Sequence, residues 1–233
     1  MPESRTQRRS GEGLSRAKVI ATALTLLHDK GIDAVSISGI GRELGVSGPA
    51  LYRHFANLTE IIDHVVGRLY DDASEALLKA ATNVPAQQRL FVLSRALRAW
   101  ALENRREFQL LFNSPVEPKV WSKTNPAHVA GRRFGGLFLS AFSELQPGRT
   151  TTRTTIELDP RTTTDLKRYA QWADVDLSSN DLAYFLEAWV QIYGHVVMEA
   201  LGQLSYAMTD MSSLLEVCLR RIAEDLDVPY APP

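Results

Sequence analysis

IGRELGVSGPALYRHFANLTEII, residues 40–62, packs a helix end, a tight turn and two helix starts into one short stretch. Ile37, Ile40 and Leu44 recur at helical spacing and stop at Gly45, so a short helix is expected over Ile37–Leu44. Leu51 and Phe55 mark a second stripe, which places a helix over Gly48–Phe55. Upstream, Ile20, Ala23, Leu24 and Leu27 form a longer stripe closed by Gly31. Leu14-Ser15, Val35-Ser36 and Val46-Ser47 each put an apolar residue before a serine, and four residues after each serine stand Val19, Ile40 and Leu51. Each start therefore reads as a serine hydroxyl accepting from a free amide, with a hydrophobic staple across the first turn. Asn57 followed by Glu60 marks a fourth start, and Pro49 lies within a first turn, where its missing N–H costs little.

Two helices this short cannot bury enough surface alone, so the three stripes must pack as one unit. With Leu51 and Phe55 facing inward, Gly48, Ala50, Tyr52, Arg53 and His54 share the outer side of the last helix. A rod of roughly 13 Å suits a major groove about 12 Å wide. No acidic residue falls between Ser47 and Ala56. Lys plus Arg number 26 against 27 Asp plus Glu, for a net charge of −1. The balance is uneven, however. Residues 1–58 hold eight basic and five acidic side chains, so the amino end is the better match for an anionic partner. The competing reading makes Tyr52 and His54 ordinary residues of a packing helix.

From about residue 15 to 66, and most of all in the Gly-Val-Ser turn followed by Leu-Tyr-Arg-His-Phe, the chain resembles the DNA-binding domain of TetR-type transcriptional regulators. The resemblance implies a helix-turn-helix, with Ile37–Leu44 as first helix and Gly48–Phe55 as recognition helix. It implies phosphate contacts from Tyr52 and His54, and base-edge contacts from Pro49, Ala50 and Arg53. Ser36 and Ser38 would bind phosphate or a nearby base, with Ser47 and Gly48 at the turn. Physically, Arg53 is the best guanine reader, and Ala50 suits a thymine methyl. The sequence departs from the family pattern at Gly41, which stands where alanine is usual, and at Leu58, which replaces a backbone-holding lysine. Arg5, Arg8, Arg9 and Arg16 are candidates to restore that phosphate contact; the alternative is a solvated tail.

The implied layout is all-α: a flexible arm over residues 1–13, a helix-turn-helix domain over 14–66, and a larger ligand-binding and dimerisation domain over 67–228. Further helices are expected at 86–104, 124–145, 163–174, 180–208 and 212–226, with a mobile threonine-rich loop over 147–164. The last two long helices are apolar on more than one face, which calls for a second partner, and the resemblance makes that partner another copy of the chain. RALRAWALENRREFQLLFNSPV also resembles a TetR subgroup marked by a Trp…His-Gly pattern, here Trp189…Tyr193-Gly194. An unknown small-molecule effector would then meet some of Trp100, Phe108, Phe112, Trp121, Phe134, Phe138, Trp189 and Tyr193, although aromatics at helical spacing also fill any helical core.

Other chemistry finds little support. Cys218 stands alone, so an intrachain disulfide is excluded. No apolar run reaches membrane-spanning length and no secretory core opens the chain, which predicts no membrane partner and a cytoplasmic, nucleoid-associated protein. Phosphate-loop, zinc-protease and hydrolase motifs are missing, so no catalytic residue is expected. The five histidines lack ligand spacing, and Asp174-Val-Asp176-Leu-Ser178 starts like a calcium loop but has Ser179 where glycine is needed. No cofactor or metal is expected. The expectation is a dimeric DNA-binding regulator, a repressor by family habit, released from a palindromic operator by its effector. The alternatives are a DNA-binder without a ligand, or a helical small-molecule carrier or enzyme with a vestigial amino-terminal unit.

Overall fold

The computed structural model describes residues 14–113, 122–145, 156–230 and 232–233, and among these the regular elements are helices only. They divide into two compact units, one running to Val65 and the other starting at Val66.

In the first unit, helix α1 spans Arg16–Lys30. Ser15 Oγ accepts from the Lys18 N–H, and Gly31 (φ 84°) ends the helix by donating to the Leu27 carbonyl. The buried face is Val19, Ala23, Leu26 and Leu27, with Ile20 and Leu24 only half-buried. The expected stripe is thus rotated slightly, toward the side on which a 3₁₀ turn (Ile32–Ala34) and α2 (Ile37–Leu44) pack. Ser36 Oγ caps α2 by accepting from the Gly39 N–H at 3.0 Å. At the other end Gly45 takes a left-handed conformation (φ 66°, ψ 32°), and Val46 N–H donates back to the Gly41 carbonyl at 2.9 Å. That paired closure makes the turn tight. Gly41 permits it, since a Cβ there would lie 2.9 Å from the Val46 carbonyl oxygen.

Helix α3 spans only Gly48–Tyr52, not the expected Gly48–Phe55. His54 and Phe55 N–H both donate to the Leu51 carbonyl, which tightens the chain so that Phe55 turns into the core. Ser47 makes no side-chain cap here, unlike Ser15 and Ser36. Pro49 has no N–H to offer, and the Ala50 N–H is taken by the Ser47 carbonyl at 3.0 Å. Helix α4 spans Leu58–Ala80 and is entered through a reciprocal cap. Asn57 Oδ1 accepts from the Glu60 N–H, and Glu60 Oε2 accepts from the Ala56 N–H.

The second unit holds α5 (Ala86–Glu103), α6 (Arg105–Asn113), α7 (Pro126–Ser143), α8 (Pro160–Ala173), α9 (Ser179–Ala200) and α10 (Ser212–Asp225). Helix α9 is central and packs on α5, α6, α8 and α10. One helix is additional to those expected, and two boundaries move by three residues or more. Helix α6 follows α5 after a break at Asn104 (φ −120°, ψ 52°) and buries Phe108, Leu110 and Leu111. Helix α8 starts at Pro160, inside the stretch expected to be loop, because Asp159 caps the Arg161 and Thr162 amides and Pro160 suits the first helical position. Helix α9 stops at Ala200, short of residue 208, where Gly202 takes φ 66° and the Gln203 N–H closes onto the Met198 carbonyl. The arm over residues 1–13 and residues 146–155 of the threonine-rich stretch lie outside the described residues.

Two bidentate ion pairs tie α5 to the end of α9 and to α10. Arg98 pairs with Glu199 (2.6 Å for both bonds) and Arg95 with Glu216 (2.7 and 2.8 Å). Arg105 adds a bond to the Ala200 carbonyl, where a cation meets the negative end of α9. Cys218 is buried, and burial pushes its thiol up to about 11.

Candidate nucleic-acid interface

Helix α3 is too short to hide more than one face. Leu51 is fully buried, whereas Tyr52 is 54% exposed and Arg53, Pro49 and Ser47 are exposed as well. Ser38 is also exposed; Ser36 is half-buried, its hydroxyl capping α2 and standing 3.2 Å from Ser38 Oγ. Gly48 is half-buried, with room for a Cβ at 3.5 Å from the Ile37 side chain. Two expected outward residues turn inward. Ala50 is 9% exposed and His54 is half-buried. Ala50 is buried from within the helix, whereas His54 lies past its end, where the chain turns Phe55 into the core. The outward surface that remains is Ser47, Pro49, Tyr52 and Arg53.

His54 is covered from α1, by a residue the sequence suggested for another task. Arg16 donates to the His54 carbonyl oxygen, donates to Glu60 Oε1 at 2.6 Å, and lays its guanidinium 4.1 Å from the centre of the Phe55 ring. One side chain thereby ties the start of α1 to the end of α3 and the start of α4. Its Nη2 also lies 2.8 Å from His64 Nε2. Guanidinium only donates, so Nε2 accepts and the imidazole is neutral with its proton on Nδ1. Burial and then the Arg16 charge hold the His64 pKa below its ordinary value, against the opposing pull of Glu60 and Asp63. The Arg16 hydrogen bond, followed by the Ala56 amide, holds the Glu60 carboxyl below its ordinary value. Arg16 is therefore engaged within the unit, whereas the sequence offers it as a phosphate contact. Nothing local in the sequence signals this, because its partners lie 38–48 residues away.

Residues 19–65 match the model for bacterial regulatory proteins of the tetR family, and residues 90–222 match the model for the tetracyclin repressor-like C-terminal domain. The chain belongs to the tetR family. It is a DNA-binding transcriptional regulator. The HTH-type transcriptional regulator Rv1816 of Mycobacterium tuberculosis is 24% identical over 201 residues, covering 84% of this chain and 85% of that one. Tetracycline repressor protein class C of Escherichia coli is 44% identical over 50 residues, covering 22% of this chain and 23% of its own. The crystal structure of SCO4313 superposes with a TM-score of 0.66 at 26% identity, covering 90% of this chain and 95% of the other. That of BioQ, at 19% identity and a TM-score of 0.53 over 91% and 99%, shares the fold.

In the second unit of this tetR-family regulator, the aromatic candidates largely converge. Phe108, Tyr193, Trp189, Phe138 and Phe134 form a continuous run of ring contacts between 4.7 and 6.4 Å, which Tyr70 of α4 extends. Burial pushes the Tyr70 and Tyr193 hydroxyls upward, and the charge of an ionised Tyr70 raises Tyr193 further. Trp100 is buried without joining the run; Trp121 and the Phe112 side chain lie outside what is described. A cleft of about 950 Å³ lies elsewhere, between α7 and α8, and Trp100, Phe108, Phe134, Phe138, Trp189 and Tyr193 do not line it. On α9 and α10, Val190, Met198, Leu214 and Val217 are exposed. Among the described residues no group of His, Cys, Asp or Glu could hold a metal ion, and no helix is long and apolar enough to cross a membrane.

Proposed function

We propose that this regulator acts in the cytoplasm as a homodimeric repressor, each copy seating α3 in the major groove of one half of a palindromic operator. The observation that carries the reading is the exposure of Tyr52 and Arg53 together at the end of α3, within a stretch free of acidic side chains. Tyr52 offers a hydroxyl to phosphate and Arg53 a bidentate fork to a guanine edge. Ser38 and Ser47 are exposed beside them and supply further phosphate donors, with Pro49 at the groove-facing start of the helix. His54 and Ala50 support the helix from behind. A unit of this size reads only a few base pairs, so dimerisation supplies the rest of the specificity. The dimer contact is made by α9 and α10. An effector taken up by the second unit changes the arrangement of the two copies and releases the operator.

Binding of the full chain to fragments of its own upstream DNA, titrated with salt, tests this. A dimer making about 6–10 phosphate contacts weakens steeply as salt rises. Tyr52→Phe is expected to weaken binding to every sequence alike. Arg53→Ala is expected to relax preference at one base pair, at a cost of about 1–3 kcal/mol on the preferred site. Wild-type binding by both variants refutes the placement of α3 in the groove.

A further inference from the structure

Helix α7 carries three glycines, Gly131, Gly135 and Gly136, in a helix interior where each costs up to about 1 kcal/mol relative to alanine. Gly131 has a packing reason, because a Cβ there would lie 3.2 Å from the Tyr70 ring. Gly135 and Gly136 have none: an added Cβ at either meets nothing within 4 Å. Both open onto the cleft between α7 and α8 and make its floor. Its α8 wall carries Tyr169 and Trp172, whose rings stack 5.8 Å apart at 24°.

Among the described residues, the charged groups lining the cleft are all basic. Lys123, Arg132 and Arg133 line it together with His128, and among the described residues no Asp or Glu does. Arg133 is paired with Asp71 at 2.8 Å. Arg132 instead lies over the Trp172 ring, 5.2 Å from its centre, and no carboxylate among the described residues pairs with it or with Lys123. A guanidinium placed over an indole still has N–H groups to offer a planar anion. The volume falls within the range of small-molecule sites.

We propose that the α7–α8 cleft is the effector site and takes a small organic anion, its apolar body on the Gly135–Gly136 floor against Tyr169 and Trp172, its acidic group on Arg132 and Lys123. This rests on the ligand-responsive reading above and specifies the chemistry that reading leaves open. Helix α7 links the site to the rest of the unit. Its opposite face presents Phe134 and Phe138 to Trp189 of α9, at 6.4 and 4.7 Å, so an occupant pressing on α7 acts on a helix of the proposed dimer contact.

The test uses two fluorescent probes that differ only in a sulfonate, 1-anilinonaphthalene-8-sulfonate and neutral N-phenyl-1-naphthylamine, titrated into the full chain. Saturable binding of the sulfonate is expected. Gly135→Leu fills the cleft without a clash and is expected to weaken it about tenfold or more, while thermal stability and operator binding hold. A Lys123→Gln/Arg132→Gln double variant is expected to weaken the sulfonate about tenfold and leave the neutral probe within about twofold. The sulfonate is further expected to release operator from the wild type and not from Gly135→Leu. Unchanged sulfonate affinity in Gly135→Leu, or equal loss of both probes in the double variant, overturns the site. Cleft binding without operator release overturns the effector role. A protein that binds no operator fails the repressor reading instead, and the fluorescence still decides the cleft.

Discussion

Arg16 and Gly41 show how single side chains set the pose of α3. Arg16 touches three consecutive features of the unit: the α3 terminus at His54, the Phe55 ring and the α4 cap at Glu60. Its side chain is 44% exposed, so removing it is expected to cost only about 1 kcal/mol of stability. Its effect on DNA should be larger, since a loosened α3 presents Tyr52 and Arg53 less uniformly. Arg16→Gln is therefore expected to weaken binding to all sequences while leaving the slope of affinity against salt unchanged. A slope reduced by about one would mean that Arg16 reaches a phosphate, contrary to its position here. At Gly41 two effects oppose. Alanine gains up to about 1 kcal/mol of helix propensity, yet its Cβ lies 2.9 Å from a backbone carbonyl that is itself fixed by the turn. The clash should win. Gly41→Ala is expected to lose about 1–2 kcal/mol in thermal unfolding, and a stabilised variant would show that the turn gives way more easily than its hydrogen bonds suggest.

Among the elements, the ties between α5, α9 and α10 depend on pH. Burial raises the Glu199 pKa, but the Arg98 hydrogen bonds, the Met211 amide and the Arg98 charge outweigh it, leaving the carboxyl below its ordinary value. For Glu216 the Arg95 hydrogen bond leads, and the net direction is the same. A depressed carboxylate pKa stabilises the fold at neutral pH and loses that contribution as pH falls through the folded-state value, below the ordinary 4.5. Glu199→Gln is accordingly expected to cost about 2 kcal/mol at pH 7 in chemical denaturation and much less near pH 3. An equal cost at both would mean that the carboxylate charge contributes nothing. Such ties were not legible in the sequence, for Arg98 and Glu199 are 101 residues apart and nothing in either neighbourhood marks the pair. What was legible was local: the caps at Ser15, Ser36 and Asn57, and the Gly45 turn. The α3 end at Tyr52 was missed because Phe55 follows helical spacing yet reaches the core by leaving the helix. The start of α8 was missed because Pro160 punctuates a loop and begins a helix equally well. Of the candidate nucleic-acid surface, the exposure of Tyr52 and Arg53 could be read from periodicity, while the burial of Ala50 and His54 depends on packing across the unit.

For the whole molecule, the proposed dimer depends on the faces that α9 and α10 leave uncovered. Helices α9 and α10 spend one face on their own chain, burying Leu182, Phe185, Val196 and Val197 on α9 and Leu215, Leu219 and Ile222 on α10. Val190 nonetheless remains 68% exposed, with Val217, Leu214 and Met198 at 40, 39 and 38%. Gly194, one turn beyond Val190, has nothing within 4 Å of a would-be Cβ, which leaves that surface recessed for close approach of another helix. In a two-fold contact the same patch serves both sides, so any group added to it appears twice in the interface. Val190→Glu is then expected to place two carboxylates in an apolar contact and to leave the monomer's own packing nearly untouched, because so exposed a side chain contributes little to it. Sedimentation should show the mass halved, with thermal unfolding of the separated chain still cooperative. Binding to a full palindrome should fall to the weak, strongly salt-dependent level of one half-site. A Val190→Glu protein that still sediments as a dimer and holds the palindrome would move the subunit contact away from α9. The cleft would then need another route by which its occupant reaches the operator.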